Sequence, residues 1–221
     1  MAEETKNENE KPLNGLHKIY DEDGRLRQEG RYKDGLKDGL WETYYEGRLM
    51  EKETYVNGVL DGPFETYFYY EELKEKGRYK DGNLEGSWET YYDNGQLKEK
   101  TTYKDDEPHG LSETYYENGQ LMCRHMNENG EFSGLQEYYE KDGQLDLRQI
   151  YKNGGIILIE HYHDNGQLSG RWTCKKGTYR SSELVPRKPL SGLVEVYGDD
   201  GKLMEKYTQD GPPPFPFHIG F

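Results

Sequence analysis

Apolar and polar positions alternate along this chain in short runs broken by glycine. In 88-WETYYDNGQLKEK-100, Trp88 and Tyr92 fall on one side of an extended strand, and Glu89 and Tyr91 on the other. An Asn-Gly pair follows, and Leu97 then opens a second run. This order predicts a β-hairpin. A helix does not fit, because glycine recurs every few residues and no 3.6-residue apolar period holds.

The pattern occurs eight times. The units open at Gly15, Gly39, Gly62, Gly86, Gly110, Gly134, Ile157 and Gly192, at intervals of 24, 23, 24, 24, 24, 23 and 35 residues. A tyrosine stands five positions after every opening residue, from Tyr20 to Tyr197, and a leucine follows every turn, from Leu26 to Leu203. The turns read Asp23-Gly24, Asn94-Gly95, Asn118-Gly119, Asp142-Gly143, Asn165-Gly166 and Asp200-Gly201. Such pairs suit the type I′ turn, whose two central residues both need a positive φ. The second unit is one residue short at Glu46-Gly47, so its turn must differ.

Folding each unit about its turn aligns Lys18 with Glu29, Glu42 with Lys52, Glu65 with Lys76, Glu89 with Lys100, Glu113 with Arg124, Glu137 with Arg148, Glu160 with Arg171 and Glu195 with Lys206. Every pair joins opposite charges, and the first has its signs reversed. Cross-strand pairs of this kind contribute roughly 0.2–1 kcal/mol each. The reversal marks the pairing itself as the feature retained, beyond a preference for glutamate at one site. Second turns, such as Tyr32 to Gly35 and Tyr79 to Gly82, link one hairpin to the next. The expected fold class is all-β, with eight hairpins forming one elongated, twisted antiparallel sheet over residues 13–211.

Composition changes the picture in one respect. Only 32% of the 221 residues are hydrophobic, 33% are charged, and mean hydropathy is −1.19. That is lean for a two-layer globule, yet 14% aromatic content is too rich for disorder. A thin structure whose units stabilise their neighbours fits both figures. The net charge of −14 argues against nucleic acid and against an anionic membrane surface, and leaves protein partners with basic or apolar docking segments. There is no apolar run long enough for a membrane span, no leader-like start, and only Cys123 and Cys174. These features point to a cytoplasmic setting with free thiols. The two cysteines lie about four strands apart, near 19 Å, beyond disulfide reach.

The units resemble MORN repeats, in the variant written approximately G-x-W-x-x-Y-Y-x-N-G-x-L. The residues that carry the resemblance are 86-GSWETYYDNGQLKEKTTYKDD-106 and 110-GLSETYYENGQL-121. It spans roughly residues 15–211 and implies tandem hairpins in one elongated sheet. Multi-repeat proteins of this variant are grouped with the YwqK-like antitoxin family, and MORN proteins are linked with scaffolding and sometimes with acidic lipids. The resemblance therefore implies a protein-binding scaffold, with an antitoxin or immunity-type neutralising partner as one version. A membrane-associating protein is the rival reading.

Candidate sites follow. Trp41, Phe64 and Trp88 share one repeat position, and Tyr45, Phe68, Tyr92 and Tyr116 share another on the same face. Two readings are open for this stripe: aromatic cover for the sheet, or a docking site for a partner, since Trp and Tyr enrich binding hot spots. A basic cluster, Lys175, Lys176, Arg180, Arg187 and Lys188, sits in an irregular insert within 172–192 and is the secondary candidate. Residues 1–12 read as a disordered acidic tail. Residues 212–221, rich in Pro and Phe, read as a cap on the last hairpin or as a docking peptide. His161 and His163 are too few for a zinc site. No serine stands in Gly-x-Ser-x-Gly, and every glycine belongs to a repeated turn, so no enzyme, cofactor or metal is expected.

Overall fold

The computed structural model describes residues 12–153, 155–174 and 191–210. The described residues form eighteen strands: β1 Gly15–Tyr20, β2 Leu26–Lys33, β3 Leu36–Tyr45, β4 Arg48–Val56, β5 Val59–Leu60, β6 Gly62–Tyr67, β7 Leu73–Lys80, β8 Asn83–Leu84, β9 Gly86–Tyr91, β10 Leu97–Lys104, β11 Glu107–Tyr115, β12 Leu121–Glu128, β13 Glu131–Tyr139, β14 Leu145–Lys152, β15 Gly155–Tyr162, β16 Leu168–Cys174, β17 Ser191–Tyr197 and β18 Leu203–Asp210. The fold is all-β, as the alternation requires. Among the described residues no helix is long and apolar enough to cross a membrane.

The chain divides into two compact units, Met1–Gly95 with Lys104–Asp106, and Gln96–Tyr103 with Glu107–Phe221. In the first, antiparallel pairing follows chain order from β1 through β4, then through β6 and β7 to β9, with β5 and β8 as short leading segments. In the second, β11 to β18 pair in the same consecutive way. Each strand therefore pairs with its nearest neighbour in sequence, which keeps loop-closure entropy small.

Seven of the eight expected charge pairs are directly opposed: Lys18 with Glu29, Glu42 with Lys52, Glu65 with Lys76, Glu113 with Arg124, Glu137 with Arg148, Glu160 with Arg171 and Glu195 with Lys206. Glu89 and Lys100 lie on either side of the boundary between the units.

The turn chemistry differs from expectation. At Asn118-Gly119 only the glycine has a positive φ, 81°. The Gly119 N–H donates to the Tyr116 carbonyl at 2.9 Å, and the Tyr116 N–H to the Gln120 carbonyl at 2.8 Å. This is a type I turn closed by a glycine bulge, and it shifts the register by one residue beside the invariant tyrosine. The type I′ turns sit between hairpins instead, for example at Asp34-Gly35 (51° and 83°) and Asn129-Gly130 (52° and 77°). The shortened second unit lacks the extra residue and takes a type I′ turn at Glu46-Gly47 (52° and 80°).

Candidate functional site

Alternation gives each unit two faces. On one face lie the repeat position of Trp41 and the second-strand tyrosines. On the other lie the paired charges and the invariant tyrosines.

The aromatic face is the core. Trp41 retains 1% of its surface, and Phe64 is buried too. The Trp41 indole N–H donates to the Arg31 carbonyl at 3.1 Å, the Tyr32 ring meets it edge-on at 5.0 Å, and the Lys37 ammonium lies 4.4 Å from its centre. Phe64 stacks on Trp88 at 5.2 Å, and Tyr79 meets both edge-on. Room for the indoles comes from glycine on the adjoining strand. A methyl group at Gly30 would overlap Trp41, and one at Gly77 would overlap Trp88. This corrects the docking reading for Trp41 and Phe64: their surface is spent on internal packing. Trp88, Phe68, Tyr92 and Tyr116 are half-buried, and Tyr45 is the exposed member of the set.

In the second unit the equivalent repeat position carries other chemistry. Ser112, His125, Gln136, Gln149, Ile159, Trp172 and Val194 oppose one another in that order on successive strands. The last three join Leu147 and Ile156 in an apolar cluster. The first four are polar, and all but His125 are buried. Beside them is a cavity of about 410 Å3, walled by Tyr116, Met122, Phe132 and Tyr138.

The charge face carries a ladder that sequence pairing only half revealed. Arg148 meets Glu137 of its own hairpin at 2.9 Å and Glu160 of the next at 3.5 Å. Arg171 repeats this with Glu160 at 2.7 Å and Glu195 at 3.6 Å. Seven of the eight invariant tyrosines donate to the glutamate two residues before them, as Tyr139 does to Glu137 and Tyr162 to Glu160, both at 3.0 Å; Tyr20 instead follows Lys18. Burial pushes the Glu137 carboxyl up, but hydrogen bonds from Arg124, Arg148 and Tyr139 outweigh it and hold the group below the usual carboxylate range. The repeat spacing carried this signal, because a cation every hairpin must also face the glutamate of the following one.

Next to the ladder runs an apolar row. Leu111 faces Met126, and Leu135 faces Ile150, which in turn faces Leu158. Each lies two residues from a ladder charge: Glu113, Arg124, Glu137, Arg148 and Glu160 respectively. Leu111, Met126 and Leu135 keep 41%, 42% and 40% of their surface. Sequence reasoning missed this row, although leucine recurs one position after the opening glycine in several units.

The remaining candidates separate. His163 lies 3.2 Å from Asp199 and 3.2 Å from the Tyr197 carbonyl. Cys123 and Cys174 are not in a disulfide. Among the described residues no group of three or more His, Cys, Asp or Glu is placed to hold a metal ion. The basic cluster Lys175, Lys176, Arg180, Arg187 and Lys188 lies outside the described residues, as do residues 1–11 and 212–221 of the two tails. No curated protein sequence matches the chain. Three of its segments, residues 13–34, 84–105 and 108–125, match the family model of the MORN repeat variant.

Proposed function

We propose that the protein is a non-catalytic repeat scaffold that binds a protein partner. The observation that carries this reading is the exposed row of Leu111, Met126 and Leu135 beside an ordered line of charges. Apolar side chains grouped on a surface and rimmed by polar groups are characteristic of interaction sites. The MORN-variant segments support a repeat scaffold, and nearest-neighbour strand pairing gives it a regular surface. A partner with an apolar docking segment flanked by basic residues fits both the row and the net charge of −14. A neutralising complex of the antitoxin or immunity kind is the specific version, in which the scaffold covers the partner's active surface.

The test is affinity capture from native lysate with identification by mass spectrometry, using the parent and Leu135→Glu. The variant should melt like the parent and lose the captured protein. Tyr45→Ala, at the exposed end of the aromatic set, asks whether that set adds to the contact. Capture unchanged in Leu135→Glu defeats the assignment of the row. Binding to vesicles of acidic lipid without any captured protein favours the membrane-associating reading.

A further inference from the structure

The cavity on the aromatic face of the second unit has a polar floor. Gln136 is 3% exposed, and its Nε2 donates to the Tyr138 hydroxyl at 2.8 Å. Its Oε1 is buried with no hydrogen-bond partner among the described residues. Turning the amide over would exchange which end is unpartnered and leave the count the same. His125 stands directly opposite Gln136 across β12 and β13, and its Nδ1 is also buried without a partner. Burial pushes this imidazole below its ordinary value, with Glu99 opposing, so it is neutral near pH 7. Two neighbouring unsatisfied groups at one site are costly unless something meets them.

The walls narrow the choice of what does. Tyr116, Phe132, Tyr138 and Met122 line the cavity, and the His125 ring is fixed edge-on to Phe132 at 4.8 Å. An aromatic ring matches such walls. The floor asks for a group that both donates and accepts. A hydroxyl does so where one of the two groups accepts and the other donates, as when the Gln136 Oε1 accepts and the His125 Nδ1 carries its proton, whereas an indole N–H only donates. The cavity is also lined by the carboxylates Glu140 and Asp146, which favour a cation beside the ring.

We propose that this cavity binds a phenol, a 4-hydroxyphenyl group whose hydroxyl bridges Gln136 and His125 and whose substituent carries a positive charge past Glu140 and Asp146. The ring could belong to a free aryl amine or to a tyrosine next to a basic residue in a peptide. The site is independent of the apolar row, which lies on the opposite face.

The experiment is a titration of the full chain, followed by NMR and calorimetry, with tyramine, phenethylamine and 4-hydroxyphenylacetate. Tyramine should bind saturably and shift the Gln136 side-chain amide and the Phe132 ring. Phenethylamine, lacking the hydroxyl, should bind at least about tenfold more weakly. 4-Hydroxyphenylacetate should also be weaker, because its carboxylate meets the cavity's acidic residues. Gln136→Leu should lose at least about tenfold for tyramine and leave phenethylamine unchanged. Should that variant not fold, Phe132→Ala, at a partly exposed wall, should weaken tyramine and phenethylamine alike. A capped Lys-Tyr dipeptide separates the two sources: binding at least as tight as tyramine assigns the ring to a peptide, and exclusion assigns it to a small molecule. Equal affinity for tyramine and phenethylamine overturns the proposal. So does undiminished tyramine binding in Gln136→Leu, or no saturable shift with any probe, which would mark a solvent cavity only.

Discussion

Glu29 directly faces Glu42 across β2 and β3, and the Tyr44 hydroxyl lies 3.2 Å from the first carboxylate and 2.9 Å from the second. A hydroxyl has one proton to donate, so it cannot serve both at once. This like-charge contact follows from the reversed signs of the first hairpin. Lys18 and Glu29 satisfy each other at 2.8 Å, but the reversal puts a glutamate where the next hairpin also presents one.

Exchanging the two residues, Lys18→Glu with Glu29→Lys, restores alternation from β1 to β4. The double variant should melt at a higher temperature than the parent, and the gain should shrink in about 1 M salt. An unchanged or lower melt would show that Tyr44 already offsets the contact.

Gly77→Ala should destabilise the first unit by about 1–3 kcal/mol in urea denaturation, because a methyl group there meets the Trp88 ring. Trp88→Leu in the same chain should recover part of the loss. A neutral Gly77→Ala would mean that the ring moves aside at little cost.

Stability should fall in acid partly through Glu137. Its carboxyl titrates below its ordinary value of 4.5 when folded, so its contribution is complete above that pH and fades as pH drops through the folded value. In Glu137→Gln the slope of stability against pH below about 4.5 should flatten, read from urea midpoints. The variant should also be less stable at neutral pH, because Arg124 and Arg148 lose a shared acceptor.

Burial pushes the Cys123 thiol up, against hydrogen bonds with Thr114 that lower it. Native Cys123 should therefore alkylate slowly near pH 7, and both cysteines should alkylate at once in denaturant. Intact mass showing an internal disulfide would contradict the strand order.

Hairpin register was legible because charge spacing and turn position are both local. Turn type was not, because Asn-Gly and Asp-Gly serve a type I turn with a bulge as readily as type I′, and one additional residue decides between them. Alternation also told which residues share a face. It did not tell which face is covered. Trp41 is buried by the absence of a side chain at Gly30 and by Tyr32 and Lys37 leaning over it, and no single strand shows that arrangement. Ser112, His125, Gln136 and Gln149 form a polar stretch that no single strand marks as interior. In the fold it is part of the interior, and the cavity lies beside it.

The shared cations of the charge face have a consequence for how such an array can lengthen. Sign alternates strand by strand from Arg124 to Lys206, so a copy of two strands inserts with every contact matched. A copy of one strand would set like charges side by side at a junction. Duplication is thus tolerated in whole hairpins and resisted in halves, which gives the gene a natural step of about two dozen codons. The ladder acts as a parity check on the growth of the chain, and among the described residues of the first unit the Glu29–Glu42 contact is where that check fails.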